Sequence, residues 1–338
     1  MHPLVVLVHH VKIGGNILKV DDTCNRRRIR KTNIETPLIV PSFSSAFSND
    51  PSEIGRIYES LKEYIYEVSL VSAYDLYYNY IQIGDITCSN LVFLDSGKYE
   101  TVSLKKSRIL KRWDQDLYLK TIKKLIPLTQ FVIVNYDQKT STENQINSAN
   151  DFFNQIENLE FAKCFLYKPL SKKSNIISIK DIQKNIDLFS DFDILGFADK
   201  EIGNSFLLRC ENIVKIREIL YENGIATPIH IFGCLDPLTI ICYYLCGADI
   251  FDGLAWLKYT FYHHLALYSN NYSLIKDQWT NTFEINMMSN SIENLNALNH
   301  LSSTLKHFSR TKNFESLNIK ENVLQQVKSL TGTAGIDY

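Results

Sequence analysis

No stretch of this 338-residue chain is long and apolar enough to span a bilayer. The apolar run at 4–8 is too short for a signal peptide, and it lacks a basic lead-in and a cleavage pattern. Cys-x-x-Cys pairs are absent too. The seven cysteines, at 24, 88, 164, 210, 234, 242 and 246, are odd in number and irregular in spacing. That argues against a disulfide framework or a zinc ribbon, and several of them fall in apolar runs where Cys acts as a small apolar side chain. A reducing cytoplasm, with no membrane partner, is the expected setting. An excess of one charge is also lacking, since 36 Lys and Arg face 37 Asp and Glu for a net −1. Nucleic-acid binding, if any, must therefore come from local clusters. No fixed-period repeat and no low-complexity linker occur. No glycine-rich turn follows the first strand-like run, which counts against an open doubly wound sheet.

What is present is an ordinary globular composition, 45% apolar and 22% charged, which excludes whole-chain disorder. Short β-rich runs alternate with helical patterns. Eight such runs stand at 37–43, 68–74, 91–95, 131–137, 161–168, 192–198, 227–232 and 248–252. Most are nearly continuous apolar stretches, as parallel strands covered on both faces require. Between them lie amphipathic stripes: Ile54, Ile57, Tyr58, Leu61 and Ile65, then Ile146, Ala149, Phe152, Phe153 and Ile156. Asp50-Pro51-Ser52-Glu53 and Asp236-Pro237 carry helix-start chemistry. Eight strands interleaved with helices predict an α/β chain closed as a (β/α)8 TIM barrel over 37–285, with the open sheet as the alternative. Residues 1–36 are expected to form a hairpin capping the barrel, with arms at 4–9 and 17–20. Residues 286–338 are expected to form a helical extension.

Barrels of this kind carry their chemistry at the C-terminal ends of their strands. Three aspartates fall there: Asp95 after the third run, Asp137 after the fourth and Asp252 after the eighth. The third and eighth strands are not neighbours, so Asp95 and Asp252 would face each other across the mouth. Displacement at a sugar carbon needs such a pair, one carboxylate to attack and one to handle the leaving group's proton. Each also has a plainer reading, as an Asx turn at Asp95-Ser96-Gly97, a turn at Asp252-Gly253 or a helix cap at Asp137. Two basic clusters stand out, at 26–31 and at Lys105, Lys106, Arg108, Lys111 and Arg112. The second, with Trp113, and the aromatic stretch Trp256, Tyr259, Phe261 and Tyr262 could grip backbone and bases, or could be solvated or packed faces.

Three segments carry a family resemblance. Thr36-Pro37-Leu38-Ile39-Val40-Pro41, Leu94-Asp95-Ser96-Gly97-Lys98-Tyr99-Glu100, and Pro228 to Gly233 followed by Asp236-Pro237 and Gly247 to Asp252 resemble the queuine and archaeosine tRNA-guanine transglycosylases. The chain looks closest to their DNA-modifying relatives, the DpdA-type DNA-guanine transglycosylases of 7-deazaguanine modification systems. The resemblance implies exchange of guanine in DNA for 7-cyano-7-deazaguanine, with tRNA as the alternative substrate and a non-catalytic barrel subunit as a third reading. It implies Asp252 as nucleophile and Asp95 as general acid/base. It also implies a base pocket of Ser96, Tyr99, Asp137 and backbone near Gly196. The exchange would need no cofactor, and helper proteins are conceivable partners. There are departures from the family pattern: Lys98 and Glu100 stand for glycine and glutamine in the Asp-Ser-Gly loop. Leu166-Tyr167-Lys168-Pro169 lacks the glutamine expected after the fifth strand. No Cys follows Cys246, so the family's zinc site is expected to be lost, and His263, His264, His300 and His307 are a weak metal signal.

Overall fold

Every second residue of a strand faces the same way, and in this chain that alternation sorts the apolar side chains into two separate cores. The computed structural model describes residues 18–103, 111–126, 128–170 and 175–338. Eight strands form the closed ring: β1 (Leu38–Phe43), β2 (Val68–Ser72), β3 (Leu91–Asp95), β4 (Gln130–Val134), β5 (Ala162–Tyr167), β6 (Ile194–Ala198), β7 (Ile229–Phe232) and β8 (Ile250–Gly253). Each strand pairs in parallel with the next, and β8 closes on β1 with Val40 opposite Asp252. The chain is a (β/α)8 barrel. All eight predicted runs are strands of this ring, with ends shifted by a few residues.

Leu38 and Val40, Leu91 and Phe93, Val132 and Val134, Ala162, Cys164 and Leu166, Ile194 and Ile250 fill the barrel interior. The residues between them, such as Ile39, Val92, Leu94, Ile133 and Phe251, join the larger core between strands and helices. Burying both faces is why these strands read as apolar runs rather than as alternating ones. Six of the seven cysteines are buried and Cys88 is half-buried, all as free thiols.

The N-terminal end of the ring is plugged by Ile29, which is fully buried among the interior side chains, with Ile34 packed beside it. Below the ring, the fully buried Asp249 takes ion pairs from Arg27 at 2.7 Å and Arg217 at 2.5 Å, and accepts a hydrogen bond from the Ile229 N–H. This locks the N-terminal segment and the helix Phe206–Glu222 to the barrel floor. The expected 1–36 hairpin needs restating. Leu18–Lys19 pairs in parallel with Ile336–Asp337 at the other end of the chain, and the 4–9 arm lies outside the described residues. The C-terminal extension is helical, over Phe283–Thr311 and Glu321–Thr333. Among the described residues, no helix is long and apolar enough to cross a membrane.

Candidate active site

Extending the inward alternation to the strands' C-terminal ends names the residues of the mouth. In β1 the series 38, 40 reaches Ser42; in β3, 91 and 93 reach Asp95; in β8, 250 reaches Asp252; in β7, the same face carries His230 and Phe232. Asp95 and Asp252 thus both turn toward the barrel axis at one rim.

Asp252 is buried and held by three donors. The Ser42 hydroxyl donates to Oδ2 at 2.7 Å, while His230 Nε2 lies 3.0 Å and the Gly233 N–H 3.3 Å from Oδ1. His230 is itself fully buried, stacked on Phe232 at 3.8 Å and edge-on to Phe93 at 5.3 Å, and its Nδ1 has no partner. A neutral imidazole with its proton on Nε2 fits that arrangement, since Nδ1 then carries only a lone pair. Each carboxylate oxygen has two lone pairs. Oδ1 uses both, and Oδ2 keeps one free.

Asp95 lives differently. Protein surrounds its carboxyl although the side chain touches the solvent of the mouth. Its Oδ2 accepts only the Gly97 N–H, at 3.1 Å, so the plain turn is present as well. Burial pushes Asp95 up to about 7; Glu100 adds to this, Asp137 and Asp252 add less, and the Gly97 N–H opposes it. The charge of Asp252 therefore reaches Asp95 across the mouth. Gly97 holds the loop at φ +81°, and the Trp113 indole N–H clamps the Ser96 carbonyl at 2.8 Å.

Asp137 lies in the loop three residues past the end of β4, not in the strand. It gathers the base-pocket candidates around it. The Ser96 hydroxyl donates to Oδ1 at 3.3 Å, the Lys98 ammonium donates to its carbonyl, and Lys168 Nζ lies 3.8 Å from Oδ2. Lys168 also pairs with Glu201 at 3.1 Å. Burial alone would lower Lys168, but Asp137 and Glu201 together raise it. Asp137 and Lys168 thus set a hydrogen-bond acceptor beside a donor. Tyr99 stands on the rim, 54% exposed and free to stack. Gly196 is buried in β6, where a Cβ would come 2.6 Å from the Phe232 ring. Its missing side chain is what admits that ring.

Of the basic cluster, Lys105, Lys106 and Arg108 lie outside the described residues. Lys111 Nζ sits 4.6 Å from the Tyr78 ring centroid and 5.0 Å from that of Tyr80, and Arg112 is exposed and paired with Asp114 at 2.9 Å. Trp256 corrects an expectation. It is fully buried, donates to the Ser42 carbonyl at 3.2 Å and packs on Phe43, so it supports β1 and cannot stack on a base. Tyr259 and Tyr262 are exposed.

Among the described residues, no group of three or more His, Cys, Asp or Glu is placed to hold a metal ion. Sequence reasoning gave no role to Ser42 or His230. The period-2 pattern carries a signal for both, because each is a polar residue on the inward face of an otherwise apolar strand. Fold and mouth together define a (β/α)8 barrel with unlike carboxyls converging at the C-terminal rim. Neither a scan against models of protein families nor a search of curated proteins returned a match.

Proposed function

We propose that this chain is a guanine transglycosylase that removes guanine from DNA and installs 7-cyano-7-deazaguanine through a covalent aspartyl-sugar intermediate. The observation that carries the reading is the contrast between Asp252, acceptor of three hydrogen bonds with a spare lone pair on Oδ2, and Asp95, pushed up to about 7 on the same rim. Two carboxyls in such unlike surroundings are suited to the roles of nucleophile and acid.

Asp252 Oδ2 attacks the anomeric carbon as the carbon–nitrogen bond to guanine breaks. The departing electron pair takes the proton of Asp95. An incoming deazaguanine then returns a proton from its ring nitrogen to Asp95, attacks the same carbon and expels Asp252. Two inversions retain the configuration. The acceptor Asp137 beside the donor Lys168 matches a base edge that offers N–H groups next to a carbonyl. Tyr99 supplies a stacking face, and Lys111 with its tyrosines supplies a basic, aromatic flank. A guanine within a duplex must be flipped out to reach such a mouth.

The test is to trap the intermediate. The full chain is incubated with DNA and labelled 7-cyano-7-deazaguanine, then denatured. A protein–DNA adduct is expected, and Asp252→Ala should abolish it. Label entering tRNA alone would move the substrate to RNA. Modification supported equally well by Asp252→Asn and Asp95→Asn would make the chain a non-catalytic partner.

A further inference from the structure

Asp252 is gripped from both neighbouring strands, and the two grips differ. From β1 a single hydroxyl, that of Ser42, donates to Oδ2. From β7 two N–H groups reach Oδ1, the His230 ring at 3.0 Å and the Gly233 backbone at 3.3 Å. Oδ2 therefore keeps the lone pair that attacks, and Oδ1 has none to spare. Attack through Oδ2 leaves the two donors on Oδ1 without a task.

The His230 ring is built into its place. It is fully buried, with Phe232 stacked on it at 3.8 Å and Phe93 edge-on at 5.3 Å. Gly196 leaves open the space that Phe232 fills, since a Cβ there would come 2.6 Å from the Phe232 ring. Nδ1 is buried with no hydrogen-bond partner. A proton on Nδ1 would be an orphaned donor, so the ring's one proton belongs on Nε2, against Asp252. His230 is thus a neutral donor in a fixed tautomer. With no second partner it passes no proton on. A cationic ring would bind the carboxylate as an ion pair and hold back its attack, whereas a neutral N–H leaves it able to attack.

We propose that the His230 Nε2–H and the Gly233 N–H form a two-donor cradle that makes Asp252 a good leaving group in the second half of the exchange, with His230 as a positioning residue acting through Asp252. The proposal rests on the transglycosylase reading. In the aspartyl-sugar ester, Oδ2 is bonded to the anomeric carbon and Oδ1 is the carbonyl oxygen, so both N–H groups face a neutral acceptor. When the ring nitrogen of the incoming base attacks, the carbon–Oδ2 bond breaks and its electron pair returns to the carboxylate. The nitrogen's proton goes to Asp95. Negative charge then spreads onto Oδ1, where two donors already stand. Hydrogen bonds to a charged acceptor are stronger than those to a neutral one, so the cradle favours the carboxylate over the ester. Without it the chain would stall as the adduct.

Two measurements on the full chain test this. The first needs no nucleic acid. Nitrogen NMR spectra of protein with isotope-labelled histidine should show a neutral ring protonated on Nε2 whose signals vanish in His230→Phe and shift in Asp252→Asn. A proton on Nδ1 of that ring would overturn the cradle. The second follows the adduct in time: its formation on DNA without incoming base, then its loss when excess 7-cyano-7-deazaguanine is added. His230→Phe keeps an aromatic ring in the slot and loses the N–H. In that variant the ratio of formation rate to loss rate should rise about tenfold, so that the adduct accumulates. His230→Gln, whose amide N–H has the reach of Nε2, should bring the ratio back toward that of the wild type. Equal slowing of both steps in His230→Phe would mean that His230 only holds Asp252 in place, and would overturn the proposal. So would an adduct as long-lived in His230→Gln as in His230→Phe. Absence of any adduct in a wild type with the expected tautomer would instead sink the transglycosylase reading, and the cradle's role with it.

Discussion

At the scale of single residues, the mouth is organised by β1 as much as by the carboxylates. Ser42 faces inward and meets Asp252, and two residues on, Ser44 meets Glu100. A hydroxyl donating to a buried carboxylate contributes about 1.5–3 kcal/mol. If that bond fixes the attacking oxygen, Ser42→Ala should slow adduct formation about 10- to 100-fold and leave oligonucleotide affinity unchanged. Single-turnover trapping beside equilibrium binding makes the distinction. Loss of affinity at an unchanged rate would show that Ser42 does not act through Asp252. Asp95 and Asp252 were legible in the sequence because each closes an apolar run in a fold that puts chemistry at strand ends. Asp75 was not legible. It follows β2 inside a tyrosine-rich turn, and only the tertiary approach of Ser45 makes it a buried acid.

At the scale of elements, the strands and most helix starts followed from local chemistry. Ser141, Ser205 and Asp236 each cap the helix that follows, accepting N–H bonds from Asn144, Leu208 and Thr239. The start at Asp50 differs. Its carboxylate takes the Ser52 N–H at 3.0 Å, and the helix begins only at Glu53. The antiparallel hairpin Tyr259–Tyr262 with Leu265–Tyr268 went unseen, because its two-residue turn is His263-His264 at φ 48° and 65° rather than the Asn-Gly that announces such turns. The element that matters most at the mouth is the Asp-Ser-Gly loop. At Gly97, φ is +81° and a Cβ would come 2.8 Å from the Trp113 indole nitrogen and 2.9 Å from the Tyr74 Cβ. Gly224 has φ +67° but nothing within 4 Å. Gly224→Ala should therefore cost about 1 kcal/mol, the left-handed backbone penalty alone. Gly97→Ala should cost more, about 2–4 kcal/mol, because the clash adds to that penalty. It should also lower the rate by moving the N–H that holds Asp95. Thermal unfolding of the two variants side by side checks the order, and equal losses would mean that Trp113 and Tyr74 give way freely.

At the scale of the whole molecule, charge is arranged oppositely at the two ends of the barrel. The floor has two buried carboxylates among the described residues, Asp249 matched by Arg27 and Arg217 and Asp193 matched by Arg30. The mouth has Asp75, Asp95 and Glu100, each raised to about 7 by burial first and by neighbouring carboxyls after it. Raised carboxyls favour the folded state while they are protonated. Between their ordinary range near 4 and their folded value near 7, the native chain binds protons that the unfolded chain has released, so stability falls as pH rises across that window and levels off above it. Asp50 and Asp114, lowered by hydrogen bonds, act below the window. His264, lowered by burial, acts in the opposite sense, but it is one group against three. The melting temperature should therefore drop by several degrees between about pH 5 and about pH 8. The double variant Asp75→Asn/Glu100→Gln should show a flatter profile, with its gain over the wild type largest at the alkaline end. A wild-type melting temperature that climbs across this range, or a double variant that keeps the full slope, would mean the mouth is not where the chain stores its pH sensitivity.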